Sequence, residues 1–441
     1  MDGNIYASLS RNLAFGIGNF WDPSLSEYFG KEFHDHPPLA FGIQALFFKL
    51  IGDYFWVEKL YSIFILIGHL FLIKAFWKEI FPNSKKNLWL LFLLYALVPT
   101  ISWSFSNNML ENTMALFSGM AIFILFKNRQ QFKWWHLLLA AFFVVCAFHT
   151  KGPVSLYPLA TPFFLFLCFK EISFWKMLLQ SIALLAFSLG IFALVYFSSV
   201  EAAESWTIYF NKQVLGTITA ENPSYGVRRS FILERLILEM IIPLVLALIY
   251  LIISKTKKLK INFQTAFISF FIFSGLSAIL PIMISPKQWS FYTVPSILYL
   301  VIALAIIIVQ ISSKLQKSLK QRHFKWINGM GLAGIIIVFI ISLNSFGELS
   351  RDKGKLGGIM EICEILPKNS LVSADPIYSN DWNLNTYFIR YNYITLDYNN
   401  LEREFFVGDR NSKVDTSYQL VYQKEGEELV LFKRNQRDAN K

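Results

Sequence analysis

Apolar runs approaching about 20 residues recur along this chain and limit its fold more than any other feature. In hydrocarbon every backbone N–H and C=O needs an internal partner, so runs of this kind must be helices. They fall at 56–77, 88–105, 112–126, 135–149, 153–169, 177–198, 236–254, 263–284, 291–310 and 326–346. The 441 residues are 54% hydrophobic and 17% aromatic, more apolar surface than a soluble domain of this size hides. The phenylalanine-rich stretches are expected to face lipid. Residues 39–51 are apolar but too short to span, which predicts an interfacial helix.

The net charge of +11 is not a nucleic-acid face, because the basic residues sit in short clusters between the apolar runs. Lys78 with Lys85 and Lys86, then Lys127, Arg129 and Lys133, then Lys170 and Lys176, then Lys255 to Lys260, and finally Lys314 to Lys325 mark one side. By the positive-inside rule that side is cytoplasmic. The other connections, 104–111, 149–153, 199–235, 285–290 and everything after Phe346, then face outward. Ten spans with an outward C-terminus leave the N-terminus outward too, which leads to the expectation of a further helix upstream of Met1. Cys146, Cys168 and Cys363 imply no disulfide framework.

Two parts are expected. Residues 1–349 form the membrane domain, with 1–38 as its first outer loop. Residues 350–441 form a small polar outer domain of α/β character. In it GGIMEICEIL reads as a helix, and LVSADPIYS, TYFIRYNYITLDY, YQLVYQ and ELVLFKR read as strands.

The outward segments carry the polar residues of interest, and ionisable groups at a membrane edge are costly enough to point to function. Asp2, followed by Tyr6, is placed to act as a general base, against the plainer reading of a solvated terminal acid. In FHDHPPL, Asp35 and His36 suit a divalent cation or a phosphate, or merely wet a proline-fixed turn. Glu111, in SNNMLENT, suits contact with a substrate hydroxyl, or is a helix-turn cap. Lys151 precedes Gly-Pro, and Lys287 follows a proline with Tyr292 close behind; each is a fixed ammonium for phosphate or a snorkelling lysine. Arg228 and Arg229 lie in an outward loop against the charge bias, which an anionic ligand such as a lipid phosphate explains. His69, in mid-span, reads as a core histidine bonded to a neighbouring helix. There is no Walker loop, GxGxxG, CxxC pair, GxSxG or HExxH.

Together DGNIYASLSRNLAFGIGNFWDP, HDHPPL, the acid of NNMLENT, HTKGPVSLYPL and SPKQWSFYTVPS resemble the GT-C membrane glycosyltransferases. The resemblance is to the bacterial branch related to protein O-mannosyltransferases and to lipid A aminoarabinose transferases. It runs to about residue 310 and says little of the tail. It implies an all-α polytopic membrane fold of GT-C type, with about ten transmembrane helices and interfacial helices, to which the residue pattern adds the small C-terminal α/β domain. It implies Asp2 as catalytic base, Glu111 as the second catalytic acid and Asp35 as a metal contact. Lys151, Lys287 and Tyr292, joined by Arg228 or Arg229, then hold the donor phosphate, and Tyr6 and His36 contact substrate. The implied activity is inverting transfer of a hexose or pentose from a polyprenyl-phosphate donor to lipid A, a glycan or a protein, at the outer face of the cell (inner) membrane. A divalent cation is the one cofactor implied. The alternatives are a secondary transporter of an anionic or lipid-linked substrate and a non-catalytic envelope scaffold. The spans show no mid-membrane acids or paired broken helices to favour transport.

Overall fold

A computed structural model describes residues 2–26, 28–82, 87–131, 133–216, 228–318 and 353–435, with isolated residues between 329 and 344. The chain forms two compact units. One comprises residues 34–40 and 59–341, the other residues 1–33, 41–58 and 342–441.

The first unit is a helical bundle. Its helices are α3 (Val57–Ile80), α4 (Leu88–Ala96), α5 (Pro99–Ser106), α6 (Leu110–Lys127), α7 (Trp134–Lys151), α8 (Thr161–Cys168) and α9 (Phe174–Tyr196). They continue with α10 (Val200–Tyr209), α11 (Phe231–Glu239), α12 (Ile241–Thr256), α13 (Thr265–Ile279) and α14 (Val294–Ser318). Among the described residues six helices are long and apolar enough to cross a membrane, or eight if each of two bent pairs counts as one span. The protein is thus a multi-pass membrane protein. The expected span at 326–346 lies outside the described residues.

Two expected spans are broken. The 88–105 run bends by 73° between α4 and α5, at a break just before Pro99, and the 236–254 run bends by 63° between α11 and α12. The expectation of no paired broken helices is therefore corrected. The two breaks meet: Thr100 N–H donates to Glu239 Oε2 at 2.9 Å. A carboxylate from one break caps the freed N-terminus of the helix at the other, where the helix dipole favours an anion. The 153–169 run does not form one span either. Pro153, Pro158 and Pro162 divide it into 3₁₀ turns at Gly152–Ser155 and Tyr157–Ala160 followed by the short α8.

The phenylalanines do not all face lipid. Phe76, Phe126, Phe270 and Phe271 are wholly buried, with ring centroids 5.0–5.7 Å apart, and Tyr299 of α14 joins Phe76 at 6.4 Å. Edge-to-face and offset packing of large rings supplies a dense core where lipid cannot. α14 is buried along most of its length, while α9 exposes most of its surface. Small residues let helices approach closely. A side chain on Gly119 of α6 would meet Leu72 of α3, and one on Gly68 of α3 would meet Leu116.

The second unit joins α1 (Asp2–Ala14) and α2 (Leu39–Ile51) to the C-terminal domain. The first outer loop, expected over 1–38, thus opens with a helix. α1 is polar yet buried from Ile5 to Asn12, and Ser10, Arg11 and Asn12 are hydrogen-bonded inside the unit. α2 has the bounds read from sequence. The C-terminal domain is α/β, with α15 (Lys353–Ile365) and α16 (Trp382–Asn392). Its strands are β1 (Leu371–Ala374), β2 (Thr395–Asp397), β3 (Phe405–Gly408), β4 (Tyr418–Gln423) and β5 (Val430–Arg434). The sheet order is β2-β1-β3-β5-β4, with β1 parallel to β2 and β3, and β5 antiparallel to β3 and β4. TYFIRYNYITLDY, expected as strand, is mostly α16. Asp381 starts that helix by accepting from Leu384 N–H, and Tyr393 ends it with φ +55°. Ile359, Ile362, Leu384, Phe388, Val407 and Leu431 form the buried core between helices and sheet.

Overpacking the α3–α6 contact should show in stability. Gly119→Val is expected to cost about 1–3 kcal/mol, read as a lower thermal midpoint in detergent. Gly190→Val, which meets nothing within 4 Å, should leave the midpoint unchanged.

Candidate active site

α6 and α7 are antiparallel neighbours, so the start of one lies beside the end of the other. Glu111 stands in the first turn of α6 and Lys151 is the last residue of α7. Each charge suits its own helix terminus, carboxylate at the positive end and ammonium at the negative end. The two form a salt bridge with almost no solvent access, at 1% and 8% relative exposure. The rings of Tyr292 and Phe291 cover the ammonium at 4.7 and 5.8 Å.

The first turn of α6 is pinned from several helices. Tyr61 and Thr113 share a hydroxyl hydrogen bond of 2.7 Å, and Ser104 donates to Asn112 Oδ1 at 2.9 Å. His69 Nε2 donates to the Asn112 carbonyl at 2.8 Å and its Nδ1 accepts from the Tyr95 hydroxyl at 2.9 Å. His69 is the core histidine read from sequence.

After Lys151 the chain turns on Gly152, whose φ of +71° is the region glycine adopts without strain. The absent side chain matters as much, because a Cβ there would overlap the Tyr209 ring and hydroxyl. Tyr209 thereby comes close enough to donate to the Lys151 carbonyl at 3.4 Å. It belongs to a row spaced by four residues. Ser205 of α10 shares a 3.4 Å hydrogen bond with His34 Nδ1, and Gln213, in the π-helical turn Phe210–Leu215, donates to Asp35 at 2.5 Å. That i, i+4, i+8 pattern puts all three on one face. Trp206 anchors α10, stacking on Phe148 of α7 at 5.0 Å and meeting Phe192 of α9 edge-on at 5.1 Å.

The FHDHPPL turn supplies the other wall. His36 is half-buried. Desolvation holds its pKa well below the ordinary histidine value, and the ammonium groups of Lys151 and Lys287 lower it further. The imidazole is neutral at physiological pH. The Asp35 side chain is exposed but closely surrounded. Desolvation raises its pKa, and Lys287, the Gln213 hydrogen bond, Lys212 and His34 pull it down. The Lys287 turn is fixed by buried Gln288. Its Nε2 donates to the carbonyls of Ser285 and Arg229 at 3.0 and 3.2 Å, and its Oε1 accepts from Ile232 N–H at 2.9 Å.

The structure therefore brings Asp35, His36, Glu111, Lys151, Lys287 and Tyr292 near one another, from four separated segments. Arg228 and Arg229 have other contacts. Arg228 pairs with Glu234 at 3.0 Å, and Arg229 donates to the carbonyls of Met283 and Ile284 at 3.4 and 2.6 Å. Asp2 and Tyr6 lie in α1, in the other unit, with the Tyr6 ring 5.7 Å from Phe41. Sequence reasoning missed Ser205, Lys212 and Gln288; the four-residue spacing on α10 was the available signal for the first. Among the described residues no three His, Cys, Asp or Glu side chains converge as a metal site. With lysines as its charged neighbours, Asp35 does not fit a cation held by protein ligands alone.

Residues 35–200 match the family described as dolichyl-phosphate-mannose-protein mannosyltransferase, a stretch that carries Asp35, His36, Glu111 and Lys151. ArnT from Cupriavidus metallidurans, in a crystal structure bound to undecaprenyl phosphate, matches with TM-score 0.65 at 13% identity, over 98% of this chain and 93% of that one. This chain has the fold of the GT-C membrane glycosyltransferases. The apo crystal structure of the same ArnT matches with TM-score 0.63 at 13% identity, over 98% and 92% of the two chains. Comparison with curated protein sequences gives no match. The GT-C likeness extends through the tail beyond residue 310, where the motifs read from sequence stop.

Gly152→Ala is expected to displace Tyr209 and strain the backbone, and so to move Lys151. The thermal midpoint in detergent should fall, as for a change costing about 1–3 kcal/mol. Removing the partner of a buried charge is the larger fault. Lys151→Met should destabilise the fold by about 3–5 kcal/mol, and adding Glu111→Gln should restore most of it. Thermal midpoints of the single and double variants check this.

Proposed function

We propose that this protein transfers a sugar from a polyprenyl-phosphate donor to an envelope acceptor (lipid A, a glycan or a protein) at the outer membrane face, with inversion at the anomeric carbon. The observation that carries the reading is the convergence of Lys151, Lys287, His36 and Tyr292 in a chain with the fold of ArnT. ArnT, which shares that fold, has been crystallised with undecaprenyl phosphate.

The donor's lipid lies in the bilayer and its phosphate reaches these four residues. Lys151 and Lys287 are already in place, so little reorganisation opposes the reaction as charge grows on the leaving phosphate. The neutral His36 donates an N–H to a phosphate oxygen, and Tyr292 closes one side. Asp2, placed as base by the family resemblance, takes the proton of the acceptor hydroxyl. The hydroxyl oxygen bonds to the anomeric carbon as the bond from that carbon to the phosphate oxygen breaks, through an oxocarbenium-like state. The electron pair leaves on the lipid phosphate, which needs cations rather than a general acid. Glu111 holds Lys151 in position.

The two bent helix pairs are a feature that transporters also use. Here Glu239 caps the opposite break, so the bends have a structural account and the transport reading gains nothing from them.

In nanodiscs carrying a polyprenyl-phosphate sugar, Asp2→Asn is expected to lower turnover by about 10²- to 10⁴-fold while donor binding stays within a small factor. Lys287→Ala should weaken donor binding. Normal transfer by Asp2→Asn would remove the base from this scheme, and unchanged donor affinity in Lys287→Ala would remove the phosphate site.

A further inference from the structure

The first helix and the C-terminal domain are joined by two buried arginines. Arg11 of α1 has no exposed surface. Its Nη1 donates to the carbonyls of Ile389 and Arg390, both at 2.9 Å. Its Nε and Nη2 donate to Asn12 Oδ1 at 3.1 and 2.8 Å. Its guanidinium lies 3.5 Å over the Tyr393 ring. Ile389 and Arg390 are in the last turn of α16, where the Ile389 carbonyl also accepts from Tyr393 N–H at 3.1 Å and the helix presents its negative end. Arg11 is thus a cation at the negative end of a helix dipole, contributed by a segment 378 residues away.

Arg390 extends the same cluster. Its Nη1 pairs with Asp53 at 3.0 Å, and its Nη2 with Glu58 at 2.8 Å and the Tyr54 carbonyl at 2.9 Å. Asn12 continues it in the other direction, with Nδ2 donating to the carbonyls of Ser24 and Leu25 at 2.9 and 2.7 Å. Ser10 of α1 donates to Gln44 of α2 at 3.0 Å. Burial lowers the Arg11 pKa to about 10, still far above physiological pH, so the cation persists. The hydrogen bonds to the Ile389 and Arg390 carbonyls fix both the rotation of α1 and its position along its axis, which an apolar contact would leave free to slide, and the bonds to Asn12 hold the guanidinium in the orientation that makes them.

We propose that Arg11 and Arg390 are positioning residues through which the C-terminal domain holds α1, and with it Asp2, in place for proton abstraction. The proposal rests on Asp2 being the base. Arg11 stands nine positions from Asp2, about 13 Å along a helix, so it acts through the helix and not by touching reactants. Lysine keeps the charge but lacks the planar fork that reaches two carbonyls and Asn12 together.

The test uses the full chain in nanodiscs with Arg11→Gln, Arg11→Lys, Arg390→Gln and Asp2→Asn. Turnover per folded molecule, acceptor KM, polyprenyl-phosphate affinity and thermal midpoint are measured for each. Arg11→Gln is expected to lower kcat about a hundredfold, because a misplacement on the order of 1 Å costs that much. Polyprenyl-phosphate affinity should stay within about twofold, since binding and turnover report separate interactions. Arg11→Lys should recover part of kcat, and Arg390→Gln should repeat the split. If Arg11→Gln does not fold, Arg11→Lys carries the test through its own kcat deficit at unchanged phosphate affinity. Full kcat in folded Arg11 variants, or loss of kcat and phosphate affinity in proportion, overturns the proposal. If Asp2→Asn is inactive while the arginine variants turn over normally, only this inference fails. If Asp2→Asn transfers normally, the base assignment fails and this role with it.

Discussion

The buried pair of Lys151 and Glu111 is the interaction on which the polar cluster depends. Withdrawing two charges from water is expensive, and their attraction repays it only when geometry and local dipoles agree. Here they do, because an acid at the start of α6 and a base at the end of α7 are each stabilised by their own helix before they meet. The pinning of Asn112 and Thr113 from α3, α4 and α5 holds the carboxylate end. Gly152, Tyr209 and the rings of Phe291 and Tyr292 hold the ammonium end. Neutral His36 and the Lys287 turn are then arranged around a cation that is already fixed.

The same economy of charge governs the broken helices. A break inside a membrane frees backbone groups that water cannot reach, so another part of the protein must satisfy them. Glu239 does this for the start of α5, and Arg11 and Arg390 serve the C-terminal domain in a comparable way. In both units a charged side chain sits where a helix terminus offers the opposite partial charge.

Much of this was legible in the chain. The bounds of α2, the six long spans, the helix at Lys353–Ile365 and the strands β1, β4 and β5 follow from apolar run length and period. The errors have physical causes. The sequence of α1 reads as a loop because its polar side chains look solvated, whereas Ser10 bonds α2, Arg11 the C-terminal domain and Asn12 the following turn. α16 was read as strand because tyrosine, isoleucine and phenylalanine are enriched in strands, whereas the Asp381 cap and the packing of Leu384 and Phe388 decided for helix. The phenylalanines were assigned to lipid because composition does not distinguish a lipid-facing ring from one facing another ring.

By itself the sequence determined the class of protein and the residues available to a site: the apolar runs, the charge alternation between them, and the acids and lysines set beside prolines and glycines. Those are local properties, carried by run length, period and turn chemistry. Only the tertiary structure decided which charges are partners. That Glu111 meets Lys151, that Gln213 reaches Asp35 and that Arg11 caps a helix 378 residues away follows from helix packing. Pairing across such separations depends on where whole helices end in space, and no local pattern in the chain encodes that.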